Sequence, residues 1–316
     1  MKEKKNEVSA RMVFVADKMV AKMKKCLAKK EVRECCIYPA IEMETGLMLA
    51  TSGQVLAVHK LKEYRFEPSD GAVLGDIVML PVDVLQMKGR VEVTVQVVNG
   101  DLLATCTDEK GTTAELRTGA RYPRWRTVVP RMTGWPIDVD AKTWDVALKE
   151  IVQKMKGQPL CPVRFYGEAK SKTMALCWDN VDTDDRGQKD VSVGAMPYKL
   201  TVALNGQKLR DVLAFQPTAM RFTDAARAVV FYGDDTLCLL MPVFDNNYEP
   251  YGVDKICLES FNLEKWIGAD TGTVVVDNTK DLNPETVNPE TKREQTLEER
   301  LREALLKQLP QFRKAA

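Results

Sequence analysis

Apolar residues recur at helical spacing in two segments of the chain, and lysines occupy a different face of each segment. This spacing predicts amphipathic helices at residues 17–30 and 141–156. Two shorter helices are predicted at residues 81–87 and 206–214. The apolar stripes of the two long helices are formed by Met19, Met23 and Cys26 in the first and by Trp144, Leu148, Ile151 and Met155 in the second.

Between the predicted helices, short runs rich in β-branched and apolar residues indicate strands. Turn signals such as Thr45-Gly46, Asn99-Gly100 and Lys110-Gly111 separate them. Helices mixed with many short strands are typical of an α+β protein. Strands are predicted at residues 34–43, 47–60, 76–80, 91–98, 102–106 and 112–117, and again at 163–166, 173–178, 190–193, 198–203, 219–223, 228–232 and 237–242.

The order of elements repeats along the chain. Val139 follows Val15 by 124 residues, and both precede a long helix; Leu204 follows Leu80 by the same interval, and both precede a short helix. The common interval predicts a duplicated domain. We expect one domain at residues 8–130 and a second at residues 131–265.

Residues 266–316 have a different composition from the rest of the chain. An Asn-Pro-Glu-Thr sequence at 283–286 is repeated at 288–291, which indicates a polar linker without core-forming residues. Thr296 and Glu299 then have the spacing of a capping box. The sequence therefore predicts a linker followed by an amphipathic tail helix.

The composition disfavours several classes of protein. The 46 basic and 45 acidic residues leave a net charge of +1, which excludes a strongly basic nucleic-acid coat. His59 is the single histidine, and no phosphate-binding glycine loop occurs, so we predict no catalytic site, no cofactor and no metal site. The chain has no apolar run long enough for a membrane helix and no signal peptide. Eight cysteines without C-x-x-C spacing indicate reduced thiols and a cytoplasmic protein.

Basic charge is concentrated in the four predicted helices. With their flanking residues, at 16–30, 82–90, 141–156 and 205–214, these segments hold a net charge of +9, so the remainder of the chain holds −8. If the helices share one surface, that surface can attract phosphates by counterion release without reading bases. The alternative is that each lysine-rich face is simply solvated.

Four segments resemble motifs of one family, the bacterial DNA sliding clamp, which is the beta subunit of the replicative DNA polymerase. Residues 50–58 (ATSGQVLAV) resemble the family's A-T-D-G-H-R-L-A-V strand-turn-strand. Residues 119–130 resemble its domain-boundary segment, residues 205–213 its last helix, and residues 239–243 (LLMPV) its V-M-P-M-R-L ending. The similarity covers roughly residues 11–244, in the order of the family's second and third domains.

The resemblance implies a duplicated DNA-clamp fold, with two helices packed on antiparallel sheets in each domain. It further implies a processivity factor that encircles double-stranded DNA and binds a DNA polymerase and a clamp loader through short Q-L-x-L-F-like peptides. A six-domain ring would then require a homo-oligomer of three copies. The residues expected to face DNA are Lys18, Lys22, Lys25, Lys29, Lys88, Arg90, Lys142, Lys149, Lys208 and Arg210.

The family's peptide groove lies between the two domains that are matched here. The groove residues implied by the resemblance are Thr51, Gly53, Gln54, Val55, Leu56, Pro123, Thr127, Val128, Leu240, Met241, Pro242 and Val243. Ordinary packing between domains is the alternative for each of them. Ser52, Gln54 and Val55 replace the family's Asp, His and Arg, so the preferred peptide is expected to differ.

A second functional interpretation remains open. A clamp-derived interaction scaffold would keep the peptide groove without encircling DNA. Oligomeric state separates the two interpretations, because a monomer of two domains cannot close around a duplex.

Overall fold

Antiparallel strands dominate the computed structural model, which describes residues 8–68, 77–158, 160–244 and 250–268. The predicted α+β class is confirmed. The strands of the first half are β1 (Val8–Ala16), β2 (Ala40–Glu42), β3 (Leu47–Thr51), β4 (Val55–Lys60), β5 (Tyr64–Pro68), β6 (Val78–Met79), β7 (Gly89–Val98), β8 (Asp101–Asp108) and β9 (Thr113–Thr118). Those of the second half are β10 (Met132–Gly134), β11 (Ile137–Asp138), β12 (Pro162–Gly167), β13 (Thr173–Asn180), β14 (Asp185–Ser192), β15 (Leu200–Asn205), β16 (Ala219–Arg221), β17 (Val229–Tyr232), β18 (Thr236–Leu240) and β19 (Leu258–Ser260).

The helical segments are short except for one. The α-helices are α1 (Lys18–Lys22), α2 (Glu34–Ile37), α3 (Ala141–Lys154), α4 (Gly206–Leu213) and α5 (Leu263–Ile267). Single 3-10 segments lie at Met23–Cys26, Val82–Gln86, Trp125–Val128 and Lys255–Cys257. Side chains cap the main helices, since Asp17, Asp140 and Asn205 accept hydrogen bonds from the first free amides of α1, α3 and α4.

The two halves have sheets of matching strand order. The order β4-β3-β2-β6 in the first half corresponds to β14-β13-β12-β15 in the second. The order β1-β7-β8-β9 likewise corresponds to β11-β16-β17-β18. Strand β18 pairs with β4 across the junction, with Cys238 opposite Ala57, so one continuous eight-stranded sheet joins the halves.

The helical segments pack on the sheets and contact one another in a row, which we call the helix row; its members are Lys18–Lys22, Met23–Cys26, Val82–Gln86, Ala141–Lys154 and Gly206–Leu213. Contacts run from Val82–Gln86 to α1, through Met23–Cys26 to α4, and from α4 to α3. On α3, Trp144 is fully buried and its ring lies 6.1 Å from that of Phe165 on β12. Burial of such apolar side chains, aromatic and aliphatic, holds the helices on the sheets.

The predicted helix at residues 17–30 is shorter than expected. It is α-helical only through Lys22, continues as a 3-10 turn through Cys26, and becomes extended at Leu27. Residues three apart eclipse one another in a 3-10 helix, and this places both Met23 and Cys26 in the core. The predicted lysine stripe therefore does not continue along one helix face to Lys29.

The predicted strand at residues 34–43 was also wrong in part. Glu34–Ile37 forms α2, and only Ala40–Glu42 forms a strand. The amide of Ala28 donates to the carbonyl of Cys36, so this short helix is held against the chain that leaves α1. Tertiary contact has overridden the strand preference of the β-rich sequence.

All described residues belong to one compact unit, and the second unit of the chain, Val276–Ala316, lies outside them. The predicted linker and tail helix thus fall outside the described residues, apart from the end of α5. Within the described ranges, no helix is long and apolar enough to cross a bilayer.

Candidate partner groove and basic helix row

Three segments that are distant in sequence form most of the lining of one apolar cavity of about 310 Å³ at the junction of the halves. They are the turn between β3 and β4, the segment around the 3-10 turn Trp125–Val128, and the end of β18. We call this cavity the partner groove. The amide of Met241 donates to the carbonyl of Gln54 over 2.9 Å, which ties the end of β18 to the β3–β4 turn.

The partner groove contains most of the residues implied by the resemblance. Its lining includes Thr51, Gly53, Gln54, Val55, Leu56, Pro123, Thr127, Val128 and Met241. Leu240, Pro242 and Val243 do not line it. Leu240 is fully buried on the other face of β18, and Val243 donates its amide to the carbonyl of Ala203 in the second half. Side chains alternate along β18, so Leu240 points away from the face that carries Leu239.

Eight further lining residues were not among those expected. They are Arg33, Cys35, Cys36, Tyr122, Arg124, Trp125, Ala228 and Leu239. Strand alternation could have identified Leu239, which shares a face with Met241. Tyr122, Arg124 and Trp125 lie inside the segment 119–130 that carries the resemblance. No local signal marks Arg33, Cys35 or Cys36, because α2 reaches the groove only through the tertiary fold.

The β3–β4 turn has a defined shape. Gly53 adopts a left-handed conformation with φ of +83°, which disfavours any residue with a side chain. The hydroxyl of Thr51 accepts from the amide of Gly53 over 3.0 Å and donates to the carbonyl of Val55 over 2.7 Å. These bonds hold the turn rigidly at one wall of the groove.

The opposite wall is anchored by an ion pair. Arg126, in the 3-10 turn, pairs through both terminal nitrogens with Glu42 of β2, and the Nη2–Oε2 distance is 2.8 Å. Glu42 is only 5% exposed, so the guanidinium offsets the cost of burying its carboxylate. Trp125, beside it, is buried and packs in a core cluster with Leu56 and Leu239.

The groove has a positive character. Its lining contains Arg33 and Arg124 and no acidic residue. Burial raises the pKa of the Cys36 thiol, with Cys35 adding to the effect, so that thiol is neutral near pH 7. Burial also raises the pKa of Tyr122 well above its ordinary value, so its hydroxyl is a protonated donor. The arginine charges are therefore not balanced within the lining.

On the helical side, part of the predicted basic set meets in a second cleft. Lys25, Lys142 and Arg210 line a cavity of about 480 Å³ between the 3-10 turn, α3 and α4. Arg210 is paired there with Asp145 over 2.7 Å. Asp211 lines the same cleft, and burial raises its pKa against the opposing effect of Lys208 and Lys25.

The other predicted basic residues lie at varied places along or near the helix row. The Nζ atom of Lys22 donates to the carbonyl of Ala214 over 2.8 Å, which joins α1 to the end of α4. Arg90 lies on β7 rather than on a helix, and Lys29 follows the 3-10 turn. The remaining positions are Lys18 on α1, Lys88 before β7, Lys149 on α3 and Lys208 on α4.

Comparison with solved structures identifies the fold. The DNA polymerase sliding clamp of Pseudomonas aeruginosa matches with a TM-score of 0.58 and 16% identity, over 76% of this chain and 68% of that chain. The beta sliding clamp of C. crescentus matches with a TM-score of 0.58 and 17% identity, over 78% and 68% respectively. No protein-family model and no curated protein sequence matches significantly. The chain has the fold of the bacterial DNA polymerase sliding clamps, as the sequence resemblance predicted.

Proposed function

We propose that this protein is a DNA sliding clamp, a non-catalytic processivity factor that tethers a polymerase and other replication proteins to duplex DNA. The observation that carries the proposal is the convergence of residues 51–56, 123–128 and 239–241 on one apolar groove. Exposed Val128 and Met241 offer an apolar surface to the leucine and phenylalanine side chains of short peptides. A cytoplasmic location fits this role.

The basic helix row supports a role in holding DNA. Seven of the ten predicted basic residues lie on the helical segments of this row, and these segments contact one another. Lysines and arginines on such a face contact phosphates rather than base edges, which permits sliding. Because Arg210 is paired with Asp145, we assign the stronger phosphate contacts to Lys25 and Lys142.

Two free sheet edges support assembly of several copies. Residues 8–130 and 131–265 are proposed to be the two clamp-like domains, joined by β18 and β4. In the first half, β9 has the position that β18 has in the second half. In the second half, β14 has the position that β4 has in the first half. Both β9 and β14 are edge strands in the described sheets. Pairing of β9 with β14 of another copy would repeat the internal junction head to tail. Three copies would then form a six-domain ring.

The second candidate is a scaffold that keeps the partner groove and does not encircle DNA. The Arg210–Asp145 and Lys208–Asp211 pairs favour it, because they neutralise part of the helix row. A scaffold of this kind would recruit or sequester replication proteins as a monomer.

Solution mass and DNA topology together test the proposal. Light scattering across a range of concentrations should give a trimer, and protein incubated with a clamp loader should stay on nicked circular DNA and leave when the circle is linearised. Pro substitutions at exposed Glu115 on β9 and Gln188 on β14 should each lower the trimer fraction, with circular dichroism as the folding control. A monomer that binds peptide and never remains on circles would overturn the clamp in favour of the scaffold.

A further inference from the structure

One thiol of the partner groove is accessible from solvent. Cys35 and Cys36 are adjacent on α2, and both line the groove. Cys36 is only 1% exposed and burial raises the pKa of its thiol, whereas Cys35 is only partly buried. Reactive cysteines are typically found at partly exposed positions among positive charges. Cys35 is therefore the groove thiol that can react with a molecule from solvent.

Two guanidinium groups supply positive charge around this thiol. The Nη2 atom of Arg33 lies 2.9 Å from the position that a Cβ atom on Gly53 would occupy, so this side chain extends over the β3–β4 turn. Glu31 chiefly raises the pKa of Arg33, and the two thiols of α2 add to the effect, so both thiols lie within electrostatic reach of the guanidinium. Arg124 is exposed at the opposite wall, and no acidic residue lines the groove.

Two buried hydrogen-bond donors lie in the same lining. Oη of Tyr122 and Nε1 of Trp125 have no hydrogen-bond partner among the described residues. Cys35 packs against the core cluster that contains both side chains. Buried donors are nearly always paired in native proteins, so these two atoms point to an acceptor that a molecule bound beside Cys35 supplies.

We propose that Cys35 is a modification site at which a small thiol that carries carboxylates, of the glutathione type, forms a reversible mixed disulfide. The carboxylates of the adduct bind Arg33 and Arg124, and its amide carbonyls accept from Tyr122 Oη and Trp125 Nε1. The cavity of about 310 Å³ is large enough for a small molecule. The adduct forms whether or not the groove also binds peptides.

Exchange with the disulfide form of the small thiol produces the adduct. The Cys35 thiolate attacks one sulfur atom of that disulfide, whose S–S bond breaks as the bond to Sγ forms. The other half leaves as a thiolate and takes up the proton that Cys35 released, so Cys35 is oxidised and one small thiol is reduced. Adjacent side chains of a helix point apart, so a disulfide between Cys35 and Cys36 would require α2 to unwind.

Disulfides of different charge test the site on the full-length, reduced protein. The probes are oxidised glutathione, which is anionic, hydroxyethyl disulfide, which is neutral, and cystamine, which is cationic. Mass spectrometry follows each reaction, and each rate is divided by that of N-acetylcysteine amide with the same probe. Oxidised glutathione should modify Cys35 about tenfold faster than the neutral probe on this scale, because a cleft of one charge sign attracts the opposite sign. The advantage should fall below about twofold at about 0.5 M salt.

Charge and hydrogen-bond variants locate the effect. R33Q combined with R124Q should remove the advantage of oxidised glutathione and leave the rate of the neutral probe within about twofold. Tyr122→Phe should lower the equilibrium constant for the adduct by about fivefold in a mixture of reduced and oxidised glutathione, because one hydrogen bond is lost. Arg65→Gln on β5 is the charge-matched control and should change neither quantity.

Cysteine variants identify the thiol. Cys35→Ser should abolish the fast adduct, and Cys177→Ser combined with Cys257→Ser should keep it; those two are the other partly exposed cysteines. Equal relative rates for all probes, or modification mainly at Cys177 or Cys257, would overturn the site. An oxidised product without bound glutathione would overturn it in favour of a Cys35–Cys36 disulfide.

The adduct has a consequence if the groove binds peptides as proposed. Glutathionylated protein should bind a Q-L-x-L-F-like peptide about tenfold more weakly, because the adduct covers central contacts, and dithiothreitol should restore the affinity. Unchanged affinity would overturn placement of the adduct in the groove. Reduced protein that binds no such peptide would overturn the tethering function alone, because mass spectrometry detects the adduct without a peptide.

Discussion

The Nε2 atom of His59 lies 3.0 Å from Oδ2 of Asp17, and this contact joins the start of α1 to the junction between the two halves. His59 is fully buried on β4, and its Nδ1 atom lies 3.1 Å from both the carbonyl of Asp235 and the hydroxyl of Thr236 on the paired strand β18. Asp17 at the same time caps α1 by accepting from the amides of Met19 and Val20. One carboxylate thus stabilises both a helix end and the central sheet junction.

We expect Asp17→Ala to lower the free energy of unfolding by about 1 kcal/mol at pH 7, as is usual for loss of a helix cap. Burial disfavours the charged form of Asp17, but the amide of Val20, His59 and the amide of Met19 outweigh it and hold its pKa below the ordinary value of 3.8. The stabilisation of the folded state by ionised Asp17 is therefore complete above about pH 4, and it is lost as the pH falls through the lower folded-state pKa. Urea unfolding at pH 7, 5 and 3 measures it.

Asp140→Ala is the matched control, because Asp140 caps α3 as Asp17 caps α1. Asp140 accepts from the amides of Lys142 and Thr143 and from the hydroxyl of Thr143, whereas the single histidine of the chain contacts Asp17. A destabilisation by Asp17→Ala that does not change between pH 7 and pH 3 would contradict the assignment of charge to this cap.

The Arg126–Glu42 pair predicts a large stability effect at the groove wall. Arg126→Met should lower the free energy of unfolding by about 3 kcal/mol, because it leaves the buried carboxylate of Glu42 without this cation. The double substitution Arg126→Met with Glu42→Leu should recover most of this loss, since no buried charge is then left unpaired. Urea unfolding of the two single variants and the double variant gives the coupling. If the losses of unfolding free energy in the two single variants add up to the loss in the double variant, the pair does not stabilise the groove wall.

The second cleft predicts a change in the salt dependence of DNA binding. Lys25→Gln and Lys142→Gln together should reduce the slope of log affinity against log salt by up to about 2, because each phosphate contact contributes about 0.9. Binding to a duplex is measured by anisotropy from 50 mM salt upward. Lys110→Gln, at the turn between β8 and β9, is the control and should leave the slope unchanged. Equal slopes for all of these proteins would favour the scaffold interpretation.

Apolar contacts in the groove predict a separate loss of peptide binding. Val128 and Met241 are 57% and 41% exposed, so Val128→Asp and Met241→Asp should leave the melting temperature nearly unchanged. Each should weaken the binding of a Q-L-x-L-F-like peptide by about 2 kcal/mol, as for a central contact in an interface. Ile256→Asp, at a site that is 87% exposed, is the apolar-to-acidic control. If both groove variants keep the wild-type affinity for the peptide, the peptide does not bind in the partner groove.

Local pattern was sufficient for some elements and not for others. The spacing of Trp144, Leu148 and Ile151 predicted α3 nearly to its ends, because that helix buries one continuous stripe and Asp140 caps it. The same reasoning extended the first helix to Lys30, whereas the chain leaves α-helical geometry at Met23. The reason is that Met23 and Cys26 must both enter a core whose shape the sheets set.

The sequence by itself determined the α+β class, the repeated order of elements and the segments that form the walls of the groove. Only the tertiary structure decided that α2 brings Arg33 to those walls, that Leu239 faces the groove while Leu240 faces away, and that Asp145 pairs with Arg210. Periodicity reports which face of an element is buried, because that follows from local geometry. Contacts between residues far apart in sequence depend on how the sheets join at β4 and β18, and local spacing carries no record of that pairing.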